Sequence, residues 1–158
     1  MKAYITKKHI VFEVLSYVVL WGSIVTGIIW SAKLPDQVAT HFDVAGNPDG
    51  YGSPYSFLIM PVIMLLSVGM CSLILHLMPA EMWNTPVKVK PEKAIRIYRD
   101  IVWTVVLMQL VMAVFTLYCT LTSYLQTMKG MTVATIIFMV LLFADIIWCI
   151  VACVVHNR

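Results

Sequence analysis

Residues 57–78 read FLIMPVIMLLSVGMCSLILHLM and contain no lysine, arginine, aspartate or glutamate. A membrane-spanning helix needs about 20 mostly apolar residues, and this stretch is long enough to be one. Three further stretches meet the same requirement, at residues 10–31, 101–124 and 131–155. The sequence therefore predicts an all-α integral membrane protein. Its expected architecture is one domain over residues 1–158, an antiparallel bundle of four transmembrane helices with a structured extracytoplasmic loop between the first two.

The composition of the whole chain supports a membrane location. Of its 158 residues, 61% are hydrophobic and 12% are charged, and the mean hydropathy is +0.88. A soluble domain is about 45–50% apolar and about 25% charged. Too little polar surface is available to cover a soluble globule, which argues against a soluble enzyme, a disordered chain or a nucleic-acid binder. The partner expected for most of the surface is the lipid bilayer.

The basic residues predict the orientation in the membrane. Of 11 lysines and arginines, only Lys33 and Lys129 lie on the side of the first loop. The other side carries Lys2, Lys7, Lys8, Lys88, Lys90, Lys93, Arg96, Arg99 and Arg158. Cytoplasmic flanks are enriched in Lys and Arg, so both termini are predicted to lie in the cytoplasm of a bacterial cell and residues 32–56 outside. The run at 88–99 fits a topology determinant beside anionic lipids, or a docking site for a cytoplasmic partner.

The sequence predicts no metal site, no cofactor and no catalytic activity. The four cysteines (71, 119, 149 and 153) lie within apolar stretches, where they act as small apolar residues. An EF-hand that began at Asp43 would need glycine at its sixth position and glutamate at its twelfth, but Pro48 and Pro54 stand there. Because no nucleophile lies beside a base, the chain is not expected to be an enzyme.

Four polar residues within the spans are candidate functional groups, because such residues are rare in membranes and usually face the protein interior. Asp145 and Gln109 lie about 15 and 12 Å from the cytoplasmic end of their spans, which predicts that they meet. Asp145 would then serve either as part of a proton or ion relay or as a hydrogen-bonded packing residue. Glu13 and His76 lie near the cytoplasmic boundary, where they can form an ion pair or reach the headgroups.

Two stripes of small and hydroxyl residues predict the faces along which helices approach one another. Their members are Ser16, Ser23, Gly27 and Ser31 in span one, and Gln109, Ala113, Thr116, Thr120 and Ser123 in span three.

The loop between the first two spans differs from the rest of the chain. Residues 34–54 read LPDQVATHFDVAGNPDGYGSP, in which 38–42 favours an extended segment and 46–50 a turn. The candidate recognition residues are Asp36, His41, Phe42, Asp43, Asn47, Asp49 and Gly50. The alternative is a structured cap whose three aspartates accept hydrogen bonds from turn amides.

The pattern L-P-D-x-V-x-x-H-F-D-x-x-G-x-P-D-G-x-x-S in this loop resembles the bacterial SdpI-like family. The resemblance covers about residues 15–65 and is to the short N-terminal domain of unknown function that those proteins share. It implies a multi-pass plasma-membrane protein. Some members confer immunity to a secreted peptide toxin, and the founding system also captures a repressor at the membrane.

These observations predict a membrane binding protein that provides immunity to, or senses, an extracytoplasmic peptide through residues 32–56. The acidic loop favours a cationic peptide. The alternative is an accessory subunit of a larger complex, such as an exporter or a membrane protease, with no activity of its own. A nucleic-acid partner is not expected, and the spans do not predict an oligomeric state.

Overall fold

A computed structural model of the chain describes residues 2–43 and 45–158. Those residues form four long helices and one two-stranded antiparallel sheet. The helices are α1 (Lys7–Ser31), α2 (Ile59–Leu77), α3 (Ala94–Tyr124) and α4 (Met131–His156), and the strands β1 (Val38–Phe42) and β2 (Pro48–Gly52) lie between α1 and α2. Each long helix, with the short turns that lead into α2 and α3, is long and apolar enough to cross a membrane. The predicted four-span helical fold is confirmed.

The antiparallel arrangement gives the bundle two distinct ends. At one, which we call the terminal end, residues 78–93 lie beside both termini: Lys2 Nζ donates to the carbonyl of Met78, and the Asn157 amide donates to the carbonyl of Lys88. At the other, the hairpin end, residues 32–58 contact the α3–α4 connection at 125–130. Loop residues and charges are therefore concentrated at the ends of an apolar bundle.

The start of α3 follows from its sequence. Pro91–Lys93 forms a single 3₁₀ turn that continues directly into α3, as the proline in the first turn predicts. The resulting helix has 31 residues, which makes it about 46 Å long. It contacts each of the other three helices and is the central element of the bundle.

The buried faces of α1 and α3 are rich in small and hydroxyl residues, which confirms the two predicted stripes. The buried members are Ser16, Ser23, Gly27 and Ser31 of α1 and Gln109, Ala113, Thr116 and Thr120 of α3, while Ser123 is half-buried. Ser16 and Ser23 donate to carbonyls one turn earlier in α1, and Thr116 and Thr120 do the same in α3. Their hydroxyls are thus satisfied within each helix, so the helices can pack closely without water.

The fourth helix lies on the outside of α3. Phe138 stacks on Phe115 with ring centroids 4.3 Å apart, and within α4 only Ala152 and Cys153 are buried among the described residues. Helices α3 and α4 are neighbours, joined by the short connection at 125–130. The architecture is a three-helix core of α1, α2 and α3, with α4 packed mainly against α3.

Candidate functional site: the hairpin end

The outer loop is an ordered β-hairpin. Val38 pairs with Gly52 and His41 with Gly50, and the register is irregular on both sides of His41. A Cβ at position 50 would lie 2.9 Å from the Cβ of His41, so glycine permits this close pairing. The predicted extended segment at 38–42 coincides with β1. The turn lies earlier than predicted, because residues 48–50 already belong to β2.

Hydrogen bonds to the Asp43 side chain close the turn before Pro48. Asp43 Oδ1 accepts hydrogen bonds from the backbone amides of Ala45 and Asn47, both at 2.8 Å, and its Oδ2 accepts from the Asn47 side chain at 3.2 Å. These bonds, led by the Asn47 backbone amide and followed by its side chain, lower the pKa of the Asp43 carboxyl below its usual value. Asp43 and Asn47 therefore shape the turn. The cap alternative predicted such bonds for all three aspartates, and among the described residues they are found for Asp43, whereas Asp49 contacts His41.

Gln126 fixes the hairpin to the helical bundle. Its Oε1 accepts from the backbone amide of Ala39 at 2.9 Å, and its Nε2 donates to the carbonyl of Ala39 at 3.5 Å and of Ser123 at 2.7 Å. This side-chain amide pairs with β1 much as a neighbouring strand would. Gln126 has a φ of +50°, a left-handed conformation that is uncommon outside glycine. Sequence reasoning missed this residue, which lies 87 positions from its partner.

Replacing Gln126 by alanine is expected to release the hairpin. Ala39 is buried, and the loss of Gln126 leaves its amide and carbonyl unpaired, at a cost of at least about 1 kcal/mol, or roughly fivefold in the population of open hairpin. Limited proteolysis of the protein in nanodiscs measures this population, and cleavage within 38–52 is expected to accelerate by that factor. The matched control is Gln37→Ala, an exposed glutamine in the same loop. Equal cleavage rates for both variants would contradict the anchoring role.

The hairpin presents a polar surface away from the bundle. His41 Nδ1 lies 2.5 Å from Asp49 Oδ1, and both side chains are exposed. The structure thus brings together His41, Asp49 and Gly50, whereas Asp36 is exposed ahead of β1 and Phe42 is half-buried.

A cleft of about 700 Å³ separates the hairpin turn from the α3–α4 connection. Phe42, Gly46 and Pro48 line one side, and Lys129 and Thr132 line the other. The anchored hairpin and this cleft form a preorganised surface at the hairpin end.

The polar residues at membrane depth are arranged differently from the prediction. Gln109 is fully buried, and its Nε2 donates to the Val68 carbonyl at 3.2 Å and to the Ser72 hydroxyl at 3.1 Å. The Tyr17 hydroxyl donates to the same serine at 2.9 Å. The predicted meeting of Gln109 with Asp145 is wrong, because α3 turns Gln109 towards α2 and away from α4.

Asp145 is half-buried, and its Oδ2 has no hydrogen-bond partner among the described residues. Phe138 and Ala152 lie seven residues to either side, two helical turns away, so Asp145 shares their α3-facing stripe. The relay and packing interpretations of this residue both remain predictions.

At the terminal end, Glu13 Oε2 lies 2.9 Å from His76 Nε2, so the two residues form the contact that their depth permits. Sequence reasoning missed a second pair, in which His156 Nδ1 lies 2.5 Å from Asp100 Oδ2. It also missed His9, which is buried edge-on against Trp103. His9 lies one helical turn before Glu13, and this spacing could have indicated that the two residues share one face of α1.

Four apolar helices with an ordered polar hairpin at one end define a multi-pass membrane protein. Residues 18–65 match a family described as domain of unknown function DUF1648, which is the N-terminal domain found in SdpI-like proteins. The predicted resemblance is confirmed over this segment, which runs from α1 through the hairpin into α2. No curated protein and no solved structure shows significant similarity to the chain.

Proposed function

We propose that the chain is a bacterial plasma-membrane protein that binds a cationic secreted peptide at its hairpin end, and so provides immunity to that peptide or senses it. The observation that carries this proposal is the anchored hairpin. Gln126 holds β1 against the bundle, so the exposed His41–Asp49 pair lies on a surface that needs little ordering when a ligand binds. The SdpI-like resemblance of the same segment supports the assignment.

The charge distribution supports the orientation that this function requires. Nine of the basic residues lie at the terminal end, and Lys33 and Lys129 lie at the hairpin end. Cytoplasmic flanks carry the excess of Lys and Arg, so the hairpin faces outward and the termini lie in the cytoplasm. A secreted peptide then reaches the hairpin without crossing the membrane.

The acidic groups of the hairpin end favour a cationic ligand. Asp43 is occupied by its own turn, but Asp36 and Asp49 are exposed. Exposed charges act mainly by steering a ligand of opposite charge, an effect that weakens as salt screens them. We therefore expect Asp49 to contribute more to the rate of peptide capture than to its final affinity.

A protection assay tests the proposal. Cells that express the chain are challenged with each cationic peptide encoded beside its gene, and wild type is expected to raise survival. Asp49→Asn is expected to reduce protection several-fold and to reduce its dependence on salt. Glu81→Gln, which removes an acid at the terminal end, is the matched control and should protect like wild type. Failure of wild type to protect against any of these peptides would contradict immunity.

One observation favours the alternative of an accessory subunit in a larger membrane complex. Because α4 packs mainly against α3, most of its apolar surface is open. A stoichiometric membrane partner that remains bound during purification in mild detergent would favour this function over an independent peptide binder.

A further inference from the structure

The two edges of the hairpin differ in their backbone hydrogen bonds. On the edge of β1 that faces away from β2, the amide and the carbonyl of Ala39 are both bonded to the Gln126 side chain. On the opposite edge, the backbone of β2 has no hydrogen-bond partner outside the hairpin among the described residues. The outer edge of β2 is therefore an open strand edge, and such an edge is a template for one further strand.

Tyr51 presents its backbone amide and carbonyl on this open edge. It is the pairing partner of Ala39, whose amide donates to Gln126 at 2.9 Å and is thus not available to Tyr51. In an antiparallel ladder, a pair that exchanges no hydrogen bonds directs the N–H and C=O groups of both residues away from the partner strand. The two backbone groups of Tyr51 consequently point outward, and they mirror the two groups that Gln126 satisfies on β1.

The side chains along this edge favour a cationic partner. Tyr51 is 65% exposed, so its ring is available to pack against a residue directly opposite it on an added strand. Asp49 is exposed two residues earlier in β2 and contacts His41. A basic side chain of an added strand would be attracted to the Asp49 carboxylate, whereas the carboxylates of two identical edges would repel each other. Pro48 also disfavours pairing with an identical edge.

We propose that the outer edge of β2 binds the cationic peptide in an extended conformation, as a third strand of the sheet. This inference rests on the proposed function and names the conformation in which the ligand of that function is held. The Tyr51 amide donates to a peptide carbonyl, and the Tyr51 carbonyl accepts from a peptide amide. In such strand addition the main-chain bonds supply affinity, so cationic peptides of different sequence should bind.

Binding of a fluorescent probe to the full chain in phosphatidylcholine nanodiscs, measured by anisotropy, tests the proposal. The probe is the acetylated and amidated hexapeptide Lys-Val-Lys-Val-Lys-Val. Tyr51→Pro removes the outward N–H, and proline is tolerated on an edge strand where the N–H faces solvent. Tyr51→Ala removes the same ring and keeps the N–H. Tyr51→Pro is expected to bind at least about fivefold more weakly than Tyr51→Ala, the effect of one net hydrogen bond.

Two controls separate backbone pairing from charge and from loss of the fold. The same hexapeptide, N-methylated at every residue, keeps its lysines but has no backbone donors, and it is expected to bind wild type at least about fivefold more weakly than the unmodified probe. Proteolysis within 38–52 should be equally slow for Tyr51→Pro and Tyr51→Ala. If Tyr51→Pro opens the hairpin, the comparison of the two probes on wild type decides the outcome.

Equal affinities of two folded Tyr51 variants, equal affinities of the two probes, or no binding of the unmodified probe to wild type would overturn strand addition. If Asp49→Asn still weakens binding when the Tyr51 variants are equal, the cationic preference stands without a third strand. Failure of the proposed function is recognised separately, by the protection assay. A dimer that Tyr51→Pro dissociates and Tyr51→Ala does not would show that a second copy occupies the edge, and would also overturn the proposal.

Discussion

Replacing Gly27 by phenylalanine is expected to prevent α1 from packing in the bundle, whereas the same change at Gly22 is expected to leave the fold intact. A Cβ at position 27 would lie 2.7 Å from Leu58 Cδ2 and 3.7 Å from Thr120 Cγ2. At position 22 no atom lies within 4 Å of such a Cβ. Because the two glycines are in the same helix, comparing the two variants separates the effect of a steric clash from the effect of helix propensity.

The size of the effect follows from where Gly27 lies. Overpacking a core by a few methylene groups costs about 1–3 kcal/mol, and a whole phenyl ring between α1, α3 and the turn at Leu58 is expected to exceed that range. Gly27→Ala should be mild, because the end of the Leu58 side chain can move. The measurement is the fraction of monodisperse protein left after heating in detergent, followed by size-exclusion chromatography. Equal recovery of Gly27→Phe and Gly22→Phe would show that α1 and α3 do not meet at Gly27.

Replacing His76 by alanine is expected to destabilise the terminal end by about 1–3 kcal/mol, the cost of leaving a buried polar group without its hydrogen-bond partner. Glu13 is 9% exposed, and its Oε1 already has no partner among the described residues. Loss of His76 would leave both carboxylate oxygens unpaired in an apolar environment. The 40% exposure of His76 lets headgroups and water approach, which places the expected cost at the lower limit.

A double variant separates the lost pair from lost packing. Replacing Glu13 and His76 together by leucine removes both polar groups and is expected to restore most of the stability, because no buried polar group is then left unpaired. The same heating assay measures all three proteins. A double variant no more stable than His76→Ala would show that the pair is not the cause of the destabilisation.

The parts of the candidate site that could be predicted are those in which the interacting residues lie close together in the sequence. Turn chemistry within 34–54 was sufficient to place β1, because the bonds of Asp43 to Ala45 and Asn47 are local. The anchoring by Gln126 was not predictable, since Gln126 lies beyond two further spans and its side chain resembles any exposed glutamine at a helix end. The Asp100–His156 pair was missed for the same reason.

By itself, the sequence determined that this chain has four apolar spans with a polar loop after the first. The free energy of transferring a segment from water to lipid is a sum over the residues of that segment, so the spans can be predicted from the sequence alone. Only the tertiary structure decided how each helix is rotated. Gln109 turned towards Ser72 instead of Asp145, and α4 was left on the outside of α3. The physical reason is that lipid tails are as apolar as leucine, so the apolar residues of a span do not reveal which face meets protein.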